Sequence, residues 1–204
     1  MFEFGRIQLR PFEMEDIENL HGWYNDDIVM LYSRGHPFQF KNKLLLKEEI
    51  EKKLKNKDKV LLAVELREDG RFIGITKYSL GEWGGVRSTS VGTLIGERDC
   101  WDKGYGKEIT LALCEIFFMW KNYERLEAWS IEYNKRAHKV LEYYGFKKEG
   151  ELRKSTYLNG RYWSWYAFGC LREEYLKIRD SVLKTTLKDT YKEYCEFAQK
   201  LDTF

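Results

Sequence analysis

Residues 91–120 constrain the fold of this chain most: a strand-like run enters a glycine-bearing loop and continues as a helix-like run. The loop reads Trp101-Asp102-Lys103-Gly104-Tyr105-Gly106-Lys107. Two glycines one residue apart admit positive φ and close backbone approach, and the helix start beyond them offers unpaired N–H groups and the positive end of its dipole. These are the parts of a phosphate cradle. The flanks exclude two nucleotide motifs. A dinucleotide fingerprint needs glycine where Ile109 stands, and a P-loop needs glycine at Trp101 and Ser or Thr at Glu108.

The remaining pattern is mixed α/β (α+β). Ile7–Pro11 alternates until the proline ends a first strand. A helix is predicted from Glu13, with Ile17, Leu20, Trp23 and Tyr24 as its apolar stripe, and Asn25-Asp26-Asp27 marks a turn. An irregular loop over 33–40 precedes a second helix over 43–55. Strands over 60–66 and 71–80, joined at Asp69-Gly70, form an antiparallel meander with 86–95. Ile109, Ala112, Leu113, Ile116, Phe117 and Trp120 make one helix face that should pack on the sheet. A strand over 126–131 is reached by that helical crossover and is expected to run parallel to its neighbour. Asn134 can cap a short helix that Gly145 ends, and residues 146–155 and 162–171 make a hairpin across Asn159-Gly160. The rest is helical, with Leu183, Leu187, Tyr191, Tyr194, Ala198 and Leu201 at spacings of three and four. The chain thus divides into a domain over 1–175 and an amphipathic extension over 176–204, whose apolar face needs covering by the domain or by a second copy in a homodimer.

Composition narrows the function classes. With 35 basic and 33 acidic residues the net charge is +2, so no basic excess marks a nucleic-acid or anionic-membrane binder. No run approaches a membrane span, and the N-terminus lacks the apolar core of a signal peptide. Cys100, Cys114, Cys170 and Cys195 are widely spaced, and His21, His36 and His138 add no zinc spacing. Reduced thiols, a cytoplasmic location and no metal are expected.

The order of elements resembles the GNAT superfamily of acetyl-CoA-dependent N-acetyltransferases, especially the branch of ribosomal-protein N-terminal and spermidine acetyltransferases. The resemblance spans about residues 7–172. It rests on Ile7-Gln8-Leu9-Arg10-Pro11 with Asp16, on Asn25-Asp26, on the loop Trp101 to Gly106, on Asn134, and on Tyr144-Gly145-Phe146 followed by Glu149-Gly150. It implies a central, mostly antiparallel sheet of about seven strands with one parallel, splayed pair, flanked by helices. By the same resemblance, backbone amides of Trp101, Asp102, Lys103, Gly104, Tyr105, Gly106 and Lys107 would hold the pyrophosphate of acetyl-CoA. Leu94, Ile95 and Gly96 would pair with its pantetheine arm, and Asn134 would hydrogen-bond it. Diverging parallel strands leave backbone groups that an extended amide ligand can satisfy.

Acyl transfer to a primary amine, of a peptide or a small molecule, needs a group that takes the amine proton. Here the chain departs from its relatives. The strand before the loop carries no glutamate, Leu141 stands where many relatives place a tyrosine acid, and Ala137 where the ribosomal branch places a serine. The candidates left are Glu97, Glu132 and Tyr143, with Glu82 and Tyr144 behind them, and direct transfer in a ternary complex remains beside a non-catalytic acyl-CoA-binding module. Trp23, Tyr24, His36, Trp83 and Trp163, with Phe38 and Trp165, are the candidate acceptor-binding aromatics.

Overall fold

The computed structural model describes residues 1–38, 40–83 and 85–201, with the side chains of all these but Arg34, Glu82, Trp83 and Leu201. The strands are β1 (Phe2–Phe4), β2 (Ile7–Pro11), β3 (Lys59–Leu66), β4 (Phe72–Trp83), β5 (Val86–Ile95), β6 (Arg125–Ile131), β7 (Lys147–Leu158) and β8 (Arg161–Leu171). The helices are α1 (Ile17–Tyr24), α2 (Asp27–Arg34), α3 (Lys43–Leu54), α4 (Tyr105–Cys114), α5 (Lys135–Tyr143), α6 (Arg172–Leu187) and α7 (Tyr191–Leu201). Among the described residues the strands form one sheet of eight, ordered β1-β2-β3-β4-β5-β6-β8-β7. The pattern had suggested about seven. The extra strand, β1, is three residues folded back on β2, too short to show a period, and Phe4 buries its ring against Tyr194 with centroids 5.3 Å apart.

Every pairing is antiparallel except β5 with β6. That parallel ladder covers only Ser88–Ser90 against Arg125–Glu127. Beyond it β5 keeps its bonds to β4 and β6 keeps its bonds to β8, so among the described residues the two facing edges run on without partners for each other. The sheet is thereby split from one end, at its centre.

Two apolar clusters cover the sheet. In one, Phe12, Ile17, Leu20, Trp23, Val29, Met30, Leu46 and Ile50 from the α1–α3 region meet Leu61, Ile75 and Leu94. In the other, α4 and α6 lie against β2, β6 and β8 through Ile109, Phe117, Phe118, Leu126, Phe168 and Tyr175. The helix α2 corrects the sequence reading, which had a turn and then loop at this point. Asp26 accepts hydrogen bonds from the amides of Ile28 and Val29 at 2.9 and 3.0 Å, so the supposed turn is a helix N-cap.

The helix after the loop is also different from a one-faced one. It is buried nearly all round, and it widens into a π-helical stretch over Glu115–Trp120. Glu115, fully buried, accepts from Arg179 Nε and Nη2 at 2.8 Å each and from the hydroxyls of Tyr175 and Tyr194. Val182, Leu183, Leu187 and Tyr194 are buried in the same core, so the C-terminal helices are covered within the chain. No described helix is long and apolar enough to cross a membrane.

Candidate functional site

The strand β5 leaves the sheet at Ile95, and the chain turns at once over Gly96. A Cβ there would lie 1.9 Å from the Trp23 ring, so only glycine lets the indole pack against this corner. A 3₁₀ turn over Arg98–Cys100 leads into the loop, and Gly104 at φ 92° makes the N-cap of α4. No side chain caps this helix. The amides of Lys107 and Glu108 reach back to the Gly104 carbonyl at 2.9 and 3.2 Å, whereas none of the described residues accepts a hydrogen bond from the amides of residues 102–106. Five orphan donors with a helix dipole behind them form a site for an anion. Two side chains fix the loop. The Trp101 indole donates to the Ile95 carbonyl at 2.9 Å, and Arg6, paired with Glu108, donates to the Lys103 carbonyl at 2.9 Å.

This cradle opens into a cavity of about 950 Å³ that enters the split between Val91–Ile95 of β5 and Ala128–Ser130 of β6. Its charged lining is mostly cationic: Arg6, Lys103, Lys107, Arg136, Lys139 and Lys188 stand against Asp102, Glu108 and Asp189. Arg136 lies 4.4 Å from the Trp101 ring centre and 4.5 Å from that of Tyr32, which holds a cation beside the cradle. Phosphate donors at one end and unpaired strand edges at the other suit an elongated ligand with anionic and amide-bearing halves. On these grounds the residues fit the acetyl-CoA that the resemblance implies.

The cofactor candidates fall together. The loop 101–107 and Leu94, Ile95 and Asn134 all line the cavity, although the Leu94 side chain is buried in the α1–α3 cluster and the Ile95 carbonyl is taken by Trp101. Gly96 gives its amide to the Ile73 carbonyl. Asn134 uses both side-chain ends within the protein, accepting from the Ala137 amide and donating to the Tyr32 carbonyl. It therefore ties α5 to α2 at the cavity wall.

The three catalytic candidates separate. Glu97 accepts from the Trp23 indole at 2.9 Å, and Glu132 accepts from the Ser164 amide at 3.0 Å; neither lines the cavity. Tyr143 does line it, on the last turn of α5, with its hydroxyl 2.5 Å from Thr185 Oγ1 and Lys107 Nζ 4.4 Å from its ring centre. The acceptor set also divides. Trp23 and Tyr24 are buried core residues, because α1 turns its apolar stripe onto the sheet rather than toward the cleft. His36 is exposed beyond the end of α2, and Trp163 packs edge-on to Tyr133 beneath Arg161, outside the cavity wall. The side chains of Trp83 and Glu82 lie outside the described residues. Cys100 is buried, which pushes its thiol pKa up despite the nearby Arg71, and Tyr144 is fully buried with its phenol raised for the same reason.

Several wall residues were not legible in advance. Tyr32 depends on the missed helix α2, and Asp26 as an N-cap was the signal for it. Trp129, 48% exposed, and Ser130, 5% exposed, flank the split on β6. The Ser130 hydroxyl is buried with no hydrogen-bond partner among the described residues. Arg6 and the segment Thr185 to Thr190 reach the cavity from far along the chain, which no local pattern reports.

Residues 6–147 match the family model described as an acetyltransferase (GNAT) domain. The chain is 27% identical over 180 residues to the uncharacterized N-acetyltransferase p20 of Bacillus licheniformis, covering 83% of this chain and 95% of that one. With the SPbeta prophage-derived uncharacterized N-acetyltransferase YokL of Bacillus subtilis (strain 168) it shares 34% identity over 73 residues, 36% of this chain and 41% of the relative. Among solved structures, spermidine N-acetyltransferase from Vibrio cholerae in complex with CoA and spermine superposes with a TM-score of 0.74 at 22% identity, covering 84% and 98% of the two chains. A GNAT-family acetyltransferase from Bacillus anthracis gives 0.68 at 23% identity, with coverage of 84% and 98%. At such identities these two speak for the fold.

Proposed function

Because this chain belongs to the GNAT acetyltransferase family, we propose that it transfers acetyl from acetyl-CoA directly to a primary amine held in the same complex. Acetyl-CoA supplies the acetyl group as a thioester, and transfer to nitrogen leaves the CoA thiol. The single observation that carries this reading is the joining of the orphan amides 102–106 to the split between β5 and β6 in one cavity. The amides and α4 hold the phosphates, the free strand edges bind the pantetheine amides, and Arg136, stacked on Trp101 and Tyr32 and paired with Asp102 at 3.4 Å, borders them. Trp129 and Ser130 stand where the split opens and are our candidates for contact with the reacting end.

The attacking nitrogen has to be uncharged. With Glu97 and Glu132 engaged by Trp23 and Ser164, positioning of amine and thioester carries the reaction, and the proton leaves through water. A polyamine is the first acceptor to try, since a structural neighbour is a spermidine N-acetyltransferase, ahead of peptide N-termini and other small amines. The test is CoA release from acetyl-CoA across a panel of these amines. Release with at least one of them is expected.

One observation favours a second reading, an acyl-CoA-binding module without turnover: among the described residues lining the cavity, the carboxylates belong to Asp102, Glu108 and Asp189, all at its phosphate end. Acetyl-CoA binding with no CoA release for any amine in the panel would favour that reading over ours.

A further inference from the structure

The family match ends at residue 147, yet the cavity wall includes residues 185–190, the end of α6 and the turn into α7. We propose that this turn is a binding element: it forms a second anionic subsite, for the 3′-phosphorylated nucleoside end of acetyl-CoA, with Lys188 and Lys107 as its cations. The inference rests on the function proposed above.

Four observations lead to it. The same cavity is lined by the orphan-amide loop and by Thr185, Thr186, Leu187, Lys188, Asp189 and Thr190. The amides 102–106 account for the pyrophosphate, whereas Lys188 and Lys107 have no carboxylate partner among the described residues; of the acids beside the loop, Glu108 is taken by Arg6 and Asp102 by Arg136. Cations lacking a partner beside a pyrophosphate cradle suit a ligand with a further phosphate. Asp189 is the one acid of the turn, so the subsite is net positive when Lys107 is counted.

The turn is also held in place. Tyr143 and Thr185 share a hydrogen bond of 2.5 Å, Tyr144 and Thr186 one of 2.8 Å, and Thr190 donates to the Leu187 carbonyl at 2.9 Å. Leu187 is buried in the core. Upon this anchored turn Lys188 keeps φ 46° and ψ −110°, a conformation that glycine adopts far more easily than lysine. A strained residue on a fixed wall, with its ammonium free, is accounted for by a ligand that uses the charge.

The experiment is calorimetry on the full chain with two ligands, acetyl-CoA and its 3′-dephospho analogue, at constant low salt. The wild type is expected to prefer acetyl-CoA about tenfold, the effect of one charge-assisted contact. Lys188→Gln should reduce that preference severalfold while leaving the affinity for the 3′-dephospho ligand unchanged. Lys188→Gly, which relieves the backbone, should raise the thermal midpoint and show the same reduced preference, separating charge from conformation. Equal affinity of the wild type for both ligands would overturn the inference and leave the proposed function standing. So would a preference undiminished in both Lys188 variants and in the Lys188→Gln/Lys107→Gln pair. No binding of acetyl-CoA to the wild type would overturn both.

Discussion

Single residues at the cradle act through geometry that leaves little choice of side chain. Gly104 sits at φ 92° at the start of α4, with Arg6 Nη2 3.2 Å from where a Cβ would be. In Gly104→Asp the new side chain needs a backbone angle that L-residues avoid, at a cost of about 1–2 kcal/mol, and places a carboxylate among amides that await an anion. The expected outcome is a folded protein, judged by near-ultraviolet circular dichroism, whose acetyl-CoA affinity falls beyond calorimetric detection. Retained micromolar binding would show that the loop does not hold the phosphates. Gly104 could be read from the sequence because backbone freedom is a local property, whereas Gly106 lies within α4 without a positive φ, and a Cβ there would come no closer than 3.8 Å to the Ile95 side chain. Glu97 and Glu132 show the reverse case: their chemistry was visible, but the indole and amide that occupy them come from residues distant in sequence.

At the scale of elements, periodicity recovered the meander, the crossover and the closing hairpin, because each buries a face whose spacing is written in the chain. It failed at α2, where the cap residues read as a turn, and it understated α4, where it found the helix and one buried face but not the burial of the other sides. The π-helical stretch after α4 carries Glu115 into the core, and α6 meets it with Arg179. Removing one partner of such a pair leaves a buried charge unpaired. Arg179→Met is therefore expected to lower unfolding stability by about 3–5 kcal/mol in urea titrations, and the added change Glu115→Leu should restore much of it. If the single variant is as stable as the wild type, the Arg179–Glu115 pair does not contribute to holding α6 on the core.

A pH dependence belongs to α5 for similar reasons. His138 is buried between Tyr166 and Phe168, its Nε2 3.0 Å from the Ile131 carbonyl; burial and then Lys135 and Lys148 lower its pKa from 6.5, against Ile131 and Glu142, which raise it. The unfolded chain then binds the proton more readily. The contribution of the neutral ring is complete above pH 6.5 and is lost as pH falls through the lowered folded value. Urea midpoints at about pH 7.5 and about pH 5.5 should differ more for the wild type than for His138→Gln, which keeps an N–H donor without the titration. Equal differences would mean that His138 does not contribute.

For the whole molecule the question is what the C-terminal helices are for. Their amphipathic spacing showed in the sequence that a face had to be covered, and left open whether by the domain or by a second copy, since a repeat of apolar residues does not name its partner. In the structure Val182, Leu183, Leu187 and Tyr194 are buried with Phe4, Phe118 and Tyr144 of the sheet domain. The boundary we propose between 175 and 176 therefore runs through α6, and the two segments share one core. Two truncations follow different expectations. Ending the chain at Thr190 removes α7, with it the Tyr194 contact to Phe4, but keeps Arg179 on Glu115 and the wall 185–190. Losing Tyr194, which also donates to Glu115, together with the Phe197 ring against Phe2 and Trp120, should cost at least about 3–5 kcal/mol while cooperative unfolding and acetyl-CoA binding persist. Ending it at Tyr175 removes Arg179, strands Glu115 in the core and uncovers Phe118 and Tyr144, a contiguous apolar surface that a monomer does not keep in water. That chain should lose its cooperative transition and self-associate in light scattering. A shorter chain that remained monomeric and cooperative would mean that the sheet domain closes its own core, and that α6 and α7 serve the cavity alone.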